Sequence, residues 1–277
     1  MISRRRVLQV STAAVATGLG FYTCQVEPHW VEIVRRTMPI AQLPAALTGC
    51  TLVQLSDIHV GPQVSDAYVR HVFQLVRALE PDFVVYTGDF ISHETKFAAH
   101  ADEVYEHLPR GRLGTVGVLG NHDYGPGWSR PEIAAQLVDV LHDHGLQMLR
   151  NQIVDIAGLQ IVGLDDLWAH RFDVTTALAS LDRRRAALVL SHNPDTVDEP
   201  GWDGYEGWIL SGHTHGGQCK PPFLPPPLLP VRNRLYTSGH FTLTHQRQLY
   251  ISRGVGHLLQ VRFNVRPDVT VFELQTA

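Results

Sequence analysis

The residues of this chain that could do chemistry arrive in short polar phrases set between apolar runs. They are Ser56-Asp57-Ile58-His59, Thr87-Gly88-Asp89, Gly120-Asn121-His122-Asp123, Ser191-His192 and Ser211-Gly212-His213-Thr214-His215. The side chains of interest are Asp57, His59, Asp89, Asn121, His122, His192, His213 and His215: carboxylates, imidazoles and one amide, with no Lys or Cys among them. That set suits hard-to-borderline divalent cations such as Mn, Fe or Zn, and no thiolate softens it. Sixteen histidines in 277 residues point the same way, because imidazole is the commonest metal ligand. Taken singly, each residue has an ordinary reading. Asp57 and Asp89 could be helix N-caps, His192-Asn193-Pro194 a turn, and His213 and His215 one face of an extended surface segment. The repetition is what carries weight, since separate strand ends would have to share one ligand vocabulary by chance. Gly88, Gly120 and Gly212 precede three of the phrases, as expected where backbone must turn sharply beside an ion.

Each phrase ends a β-branched run. Thr51–Leu55, Phe83–Tyr86, Thr115–Leu119, Ala187–Leu190 and Trp208–Leu210 read as strands, and Leu249–Ser252 and Val269–Leu274 as two more. Helices alternate with the first of them. Ser65 caps one whose Val69, Val72, Phe73, Val76 and Leu79 share a face, with Pro81 as its stop. Pro131 opens another with Ile133, Leu137, Val140 and Leu141 inward and Gly145 as its end. Ile153–Ile156 and Leu159–Leu164 flank Ala157-Gly158 as a hairpin. The reading is one α/β domain, in which functional side chains converge outside the carboxyl ends of the strands. Pro221–Pro230, six of its ten residues proline, reads as a stiff loop. Its Phe223, Leu224, Leu228 and Leu229 could receive an acyl chain, lie against a membrane or pack on the core.

Composition bounds the rest. With 44% apolar and 18% charged residues the chain is globular, and a net charge of −4 gives no reason to expect a nucleic-acid partner. Residues 1–26 are read apart from the domain at 27–277. Arg4, Arg5 and Arg6 precede an uncharged stretch from Val7 to Val26, which is signal-like and just long enough to be a membrane anchor. Ser3-Arg4-Arg5-Arg6-Val7-Leu8 resembles a twin-arginine export motif, departing from it at Val7 and Gln9. Export would put the protein in the periplasm or cell envelope, an oxidising compartment where Cys50 and Cys219 could pair or stay free. The remaining histidines, among them His71, His93, His100, His107, His142 and His144, read as surface residues, and His240, His245 and His257 as loop residues near the site.

In order, Asp57-Ile58-His59, Gly88-Asp89, Gly120-Asn121-His122-Asp123, His192 and Gly212-His213-Thr214-His215 resemble the signature of the calcineurin-like metallophosphoesterase superfamily. The phrases Ser56–Gly61, Ser211–Gln218 and Ser252–Gly256 look like its branch of bacterial exported or membrane-associated phosphodiesterases, to which UDP-2,3-diacylglucosamine hydrolase-like proteins are similar. The Gly-Asp-x-x-Asp-Arg-Gly of the protein phosphatases is absent, since Gly88-Asp89 continues Phe90-Ile91-Ser92-His93. The resemblance implies a four-layer α/β/β/α sandwich with two divalent metals at the strand ends. Asp57, His59, Asp89 and His215 would hold one; Asp89, Asn121, His192 and His213 would hold the other. It implies direct attack of a metal-activated hydroxide on phosphorus without a phosphoenzyme, and His122 as a non-ligand acid for the leaving group. Arg253 is a weaker candidate for phosphate contact. The implied function is hydrolysis of a phosphodiester or pyrophosphate in a small or lipid-linked envelope metabolite. Its alternatives are a UDP-2,3-diacylglucosamine-type lipid-precursor pyrophosphatase, whose substrate faces the cytoplasm, a phosphomonoesterase, and a metal-binding envelope protein without turnover. Specificity is expected from the insertions Phe90–Gly111 and Tyr124–Arg130 and from the proline-rich loop.

Overall fold

The apolar runs become strands of two sheets packed face to face. The structure, a computed structural model, describes residues 3–92, 97–202 and 204–277; His93 and part of the Phe90–Gly111 insertion lie outside the described residues. In chain order the elements are α1 (Arg4–Phe21), β1 (Glu32–Ile40), β2 (Thr51–Leu55), α2 (Asp66–Arg77), β3 (Phe83–Thr87), α3 (Phe97–Tyr105), β4 (Gly114–Val118), α4 (Pro131–Asp143), β5 (Gln147–Met148) and β6 (Gln152–Ile156). They continue with β7 (Leu159–Gly163), α5 (Val174–Leu178), β8 (Ala187–Leu190), β9 (Gly207–Ser211), β10 (Gly239–Thr242), β11 (Arg247–Ile251) and β12 (Asp268–Thr276). One sheet runs β1-β12-β2-β3-β4-β5 and the other β10-β11-β9-β8-β7-β6. In the first, β2 to β5 are parallel and β12 is antiparallel to β2. In the second, β7, β8, β9 and β11 are parallel, with β6 and β10 antiparallel at the edges.

Strand periodicity of two divides the core into layers. Val84 and Tyr86 of β3 face α2, α3 and α4, whereas Phe83 and Val85 face the other sheet, against Leu188, Leu190 and Leu210. Helix α2 begins where expected, with Ser65 Oγ accepting from Tyr68 N at 3.3 Å, and buries Val69, Val72, Phe73 and Val76. Helix α4 buries Ile133, Ala134, Leu137 and Leu141, with Val140 only half-buried, and Gly145 at φ +82° ends it. The β6–β7 hairpin turns on Ala157 and Gly158, both left-handed (φ +54° and +94°), as a two-residue type I′ turn demands. The layer outside the second sheet is thin. Among the described residues its one α-helix, α5, has five residues, and Val197, Trp202, Tyr205 and Tyr236 from outside it complete that core.

Four points add to the sequence reading. Strands β1, β5 and β10 were not expected. Cys24, Cys50 and Cys219 are all free; Cys50 sits before the start of β2 while Cys219 follows the histidine-rich end of β9, so the two lie at opposite ends of the strands. The Pro221–Pro230 segment has no regular element, as expected, but only Leu229 of its four large apolar side chains is buried. Finally, α1 is exposed, yet the chain is fastened to the body before residue 27. Thr23 O accepts from Arg262 N and Cys24 O from Gln260 Nε2, each at 2.9 Å, and buried Glu27 accepts from Val265 N at 2.6 Å.

Candidate metal centre

The centre is assembled from backbone upward. Asp57, His59, Asp89, His213 and His215 all have left-handed backbones, with φ between +49° and +71°, a region uncommon for residues other than glycine. Side chains beyond the strand ends are thereby turned back toward a common point. Hydrogen bonds lock the turns together: Asp57 N to Gly88 O (2.9 Å), His59 N to Asp89 O (3.0 Å) and Gly212 N to His192 O (3.0 Å). Of the three preceding glycines only Gly88 needs its positive φ, +90°. The other two are required by space rather than by a sharp turn: a Cβ on Gly120 would lie 2.3 Å from Asp89 Oδ1, and one on Gly212 2.3 Å from Asp57 Oδ2.

Two clusters result, Asp57 with His59 and His215, and Asp89 with His192 and His213, each presenting ligand atoms within 4.8 Å of one another. Asp89 joins them. Its Oδ1 accepts from His122 N at 2.9 Å, leaving Oδ2 3.5 Å from His59 Nε2 and 3.2 Å from His192 Nε2. Asn121 Oδ1 is 3.2 Å from the same His192 nitrogen. Backbone carbonyls fix two tautomers: His192 Nδ1 is 2.7 Å from Thr87 O, and His213 Nε2 is 2.7 Å from Pro230 O. With those outer N–H groups donating, each ring in its neutral form presents its inward nitrogen as a lone pair. His192 Nε2 and His213 Nδ1 then face each other at 3.1 Å, as do His59 Nε2 and His215 Nε2. Lone pairs so disposed beside buried carboxylates repel or compete for protons unless cations lie among them, so the residues fit a pair of divalent metals.

Electrostatics agree at three of the four imidazoles. Burial, reinforced by neighbouring imidazoles against the pull of Asp89, lowers His59 and His213 to about 3 and holds His215 well below its usual value, keeping them neutral as ligands must be. His192 is the exception: burial works against its charge, but Asp89, Asp57 and Asp166 outweigh it and raise that imidazole to about 10, so a cation bound there would have to displace its proton. Burial lifts Asp57 to about 7. His122 differs from the rest. Half-buried, it packs edge-on to His59 at 5.1 Å between ring centroids.

Several neighbours support the centre from outside the ligand set. Asp123 does not turn to His122; its carboxylate accepts four backbone N–H groups, from Asp89, Phe90, Ile91 and Gly120, at 2.8–3.1 Å. Asp165 and Asp166 follow β7 and are buried, and Asp166 Oδ2 has no partner among the described residues. The same carboxylate-after-strand pattern used elsewhere would have found them. Arg262, fully buried, donates through Nη2 to Arg253 O, Gly254 O and Gly256 O, holding the turn whose Gly256 N reaches Asp57 O at 2.7 Å. Nothing in its sequence context marks it. Arg253 is held by two carboxylates: Nε bonds Asp268 and Nη2 bonds Glu32, both at 3.0 Å. His257 is buried against Gln63 O, and His240 stacks on Trp208 and bonds Gln248.

Comparison with known proteins follows from this geometry. The family model for calcineurin-like phosphoesterases matches residues 50–217. Phosphodiesterase YaeI of Escherichia coli (strain K12) is 34% identical, over 99% of this chain and 100% of its own. YkuE of Bacillus subtilis (strain 168), an uncharacterized metallophosphoesterase, is 30% identical over 99% and 98%. UDP-2,3-diacylglucosamine pyrophosphatase LpxG of Chlamydia muridarum (strain MoPn / Nigg) is 27% identical over 89% and 90%.

Proposed function

The chain belongs to the calcineurin-like phosphoesterase family, and from that membership, which makes it a dinuclear metallophosphoesterase that hydrolyses phosphoesters, we propose that its bond is a phosphodiester or pyrophosphate in a cell-envelope metabolite. Asp57, His59, Asp89 and His215 would hold one cation and Asp89, Asn121, His192 and His213 the other, with Mn, Fe or Zn suited to this nitrogen and oxygen set. Two divalent cations, when bound, supply Lewis acidity that lowers the pKa of a coordinated water and neutralises charge on the phosphoryl group. The protein's own residues do the rest. Asp89 has one oxygen engaged by the His122 N–H and offers the other to both clusters. Thr87 and Pro230 carbonyls orient His192 and His213. His122 holds a proton for the departing oxygen, and its half-exposed ring beside fully buried His59 is the observation that carries this role.

The diester reading draws support from the YaeI relative, the pyrophosphate reading from LpxG. The domain is exported or anchored through residues 1–26. Supporting this, Arg4–His29 is long and apolar enough to cross a membrane. Protease added to spheroplasts separates the readings, since an exported domain is cut and one acting on a cytoplasmic-facing lipid precursor is protected. For the chemistry, the full chain is stripped with a chelator and reloaded separately with manganese, zinc or magnesium. The expected result is a metal-dependent rate on bis-p-nitrophenyl phosphate above that on p-nitrophenyl phosphate. A monoester preference overturns the diester reading.

A further inference from the structure

The large apolar side chains left in solvent are not scattered. Among the described residues they fall on α1, at Trp30, and on the body at Phe223, Leu224, Leu228, Leu235 and Leu259, with Phe223 wholly exposed at 105% and Leu228 at 79%. Single exposed apolar residues are ordinary, whereas a cluster at one end of a molecule marks a contact surface. The proline-rich loop holds its tips outward. Pro226 and Leu229 are buried, a Cβ on Gly217 would strike Pro226, and Arg234 Nη2 donates to Pro226 O (3.1 Å) and Pro227 O (3.2 Å). With its middle pinned and its prolines stiff, the loop cannot fold Phe223 and Leu224 back onto the core.

The location of this loop identifies what it meets. Three lengths of chain lie side by side. Thr23 O and Cys24 O at the end of the apolar helix accept from Arg262 N and Gln260 Nε2; on the far side of that segment, Phe263 N donates to Gln218 O and Lys220 N to Phe263 O, all at 2.9 Å. Leu259 sits beside Gln260 on the middle length. Phe223 follows shortly after Lys220 on the third. The same loop returns at Pro230, whose carbonyl holds His213. The point where the helix meets the body, the apolar tips and the mouth of the metal centre therefore share one end of the protein. Trp30, with Arg266 stacked on its ring at 3.6 Å, adds the aromatic and cationic pair typical of a membrane–water interface.

We propose that this end docks on a lipid bilayer, with Phe223, Leu224, Leu228 and Leu259 entering its interface beside the anchoring helix, so that the metal centre acts on a phosphodiester or pyrophosphate at the headgroup level of a membrane lipid. The inference rests on the anchored phosphoesterase reading above and names its substrate class. The occupant is lipid because the loop lies next to a segment able to span a membrane; a second copy of the chain or another protein would have no reason to share that position.

Two measurements on the full chain in vesicles of phosphatidylcholine and phosphatidylglycerol test it. Phe223→Cys, in a background with Cys24, Cys50 and Cys219 changed to Ser, carries an environment-sensitive fluorophore, and Gln246→Cys in the β10–β11 turn is the control. The label at 223 is expected to shift to the blue, to be quenched by nitroxide-bearing acyl chains and to resist aqueous iodide, while the control does the reverse. Equal iodide quenching at both positions overturns docking, as does protection at 223 that rises with protein density and without acyl-chain quenching, the mark of self-association. Separately, the variant with Phe223→Ser, Leu224→Ser and Leu228→Ser is expected to lose tenfold or more in kcat/KM on a diacylglycerophospho-p-nitrophenol in those vesicles, while its rate on soluble bis-p-nitrophenyl phosphate is kept. An unchanged ratio of the two rates overturns the substrate class. If the wild-type protein cleaves neither compound, the hydrolase reading fails, and the fluorophore still decides docking.

Discussion

A departing alkoxide is a strong base, and only a positioned proton makes it a tolerable leaving group. Among the gathered side chains His122 alone is both half-exposed and outside the two ligand clusters, so its removal should be felt in proportion to the basicity of what leaves. His122→Ala is expected to lower kcat on an alkyl phosphodiester by about 10²–10⁴-fold, and much less on a p-nitrophenyl diester, with bound metal unchanged by elemental analysis. Equal losses on both substrates would reassign His122 to substrate binding. Loss of metal in step with activity would make it a support for Asp89, whose Oδ1 accepts the His122 backbone N–H. Space is the other constraint at this scale. Gly120 has no positive φ to defend, but a Cβ there would also lie 2.5 Å from Asp89 N. Gly120→Ala should therefore displace Asp89 and weaken metal affinity by about 10–100-fold, as perturbing a ligand's immediate support does. A competition titration against a chelator measures it, and unaltered affinity would mean that the β4 end yields instead.

Elements reach the centre in register because their beginnings are tied as firmly as their ends. Asp82, just before β3, accepts from Thr51 N at 2.8 Å and from Arg112 Nε and Nη2 at 3.0 and 2.6 Å, while Leu113 N bonds its carbonyl. One residue thus fixes where β2, β3 and β4 start. Partial burial opposes its charge, but the Thr51 N–H and Arg112 prevail and hold the carboxyl below its usual range. A depressed carboxylate stabilises the fold fully above its unfolded pKa of about 3.9 and loses that contribution as pH falls through the folded value. Asp82→Asn is expected to cost about 1.5–3 kcal/mol at neutral pH, nearer the lower figure because Arg112 is largely exposed. Urea melts of the two proteins should converge as pH falls through the depressed folded value; a gap persisting once the carboxyl is protonated would assign the effect to packing. The strands so tied were legible in sequence because β2, β3, β8 and β9 are buried on nearly every residue and so read as apolar runs. The edge strands β1 and β10 were not, although edge strand β6 was read as one arm of its hairpin. In β1, Arg35, Arg36 and Thr37 are exposed, and β10 alternates half-buried with exposed residues, so neither presents a hydrophobic period. Helix α5 is shorter than two turns. The same logic divides the site: imidazoles and carboxylates after strands stood out within ordered phrases, while Asp165, Asp166 and Arg262 belong to no such phrase and carried no reading.

Across the whole molecule the centre straddles the two sheets. Asp57, His59, Asp89 and Asn121 follow strands of one, and His192, His213 and His215 follow strands of the other, with the interlayer core of Phe83, Val85, Leu188 and Leu210 beneath them. Cations shared through Asp89 would therefore pin the layers together at one end, and they would do so only in the folded state, since the unfolded chain scatters these residues from 57 to 215. Metal binding is then folding free energy. Asp57, Asp89, Asp123 and Asp166 are each at most 1% exposed around the centre, so a chelated protein keeps several acid groups in a dry site with their counter-charge removed. At a free metal concentration of 100 times Kd each site contributes about 2.7 kcal/mol, and at about 2–4 °C per kcal/mol for a chain of this size that is about 5–10 °C per site. Chelator-treated protein should accordingly melt well below the loaded form, and Tm should climb with the logarithm of added manganese or zinc, in two stages if the cations bind with different affinities. Calorimetry across a metal series reads this directly. A Tm indifferent to metal would mean that the sheets are held at that end by side-chain hydrogen bonds alone, and that the two clusters are preformed cradles rather than a staple between the layers.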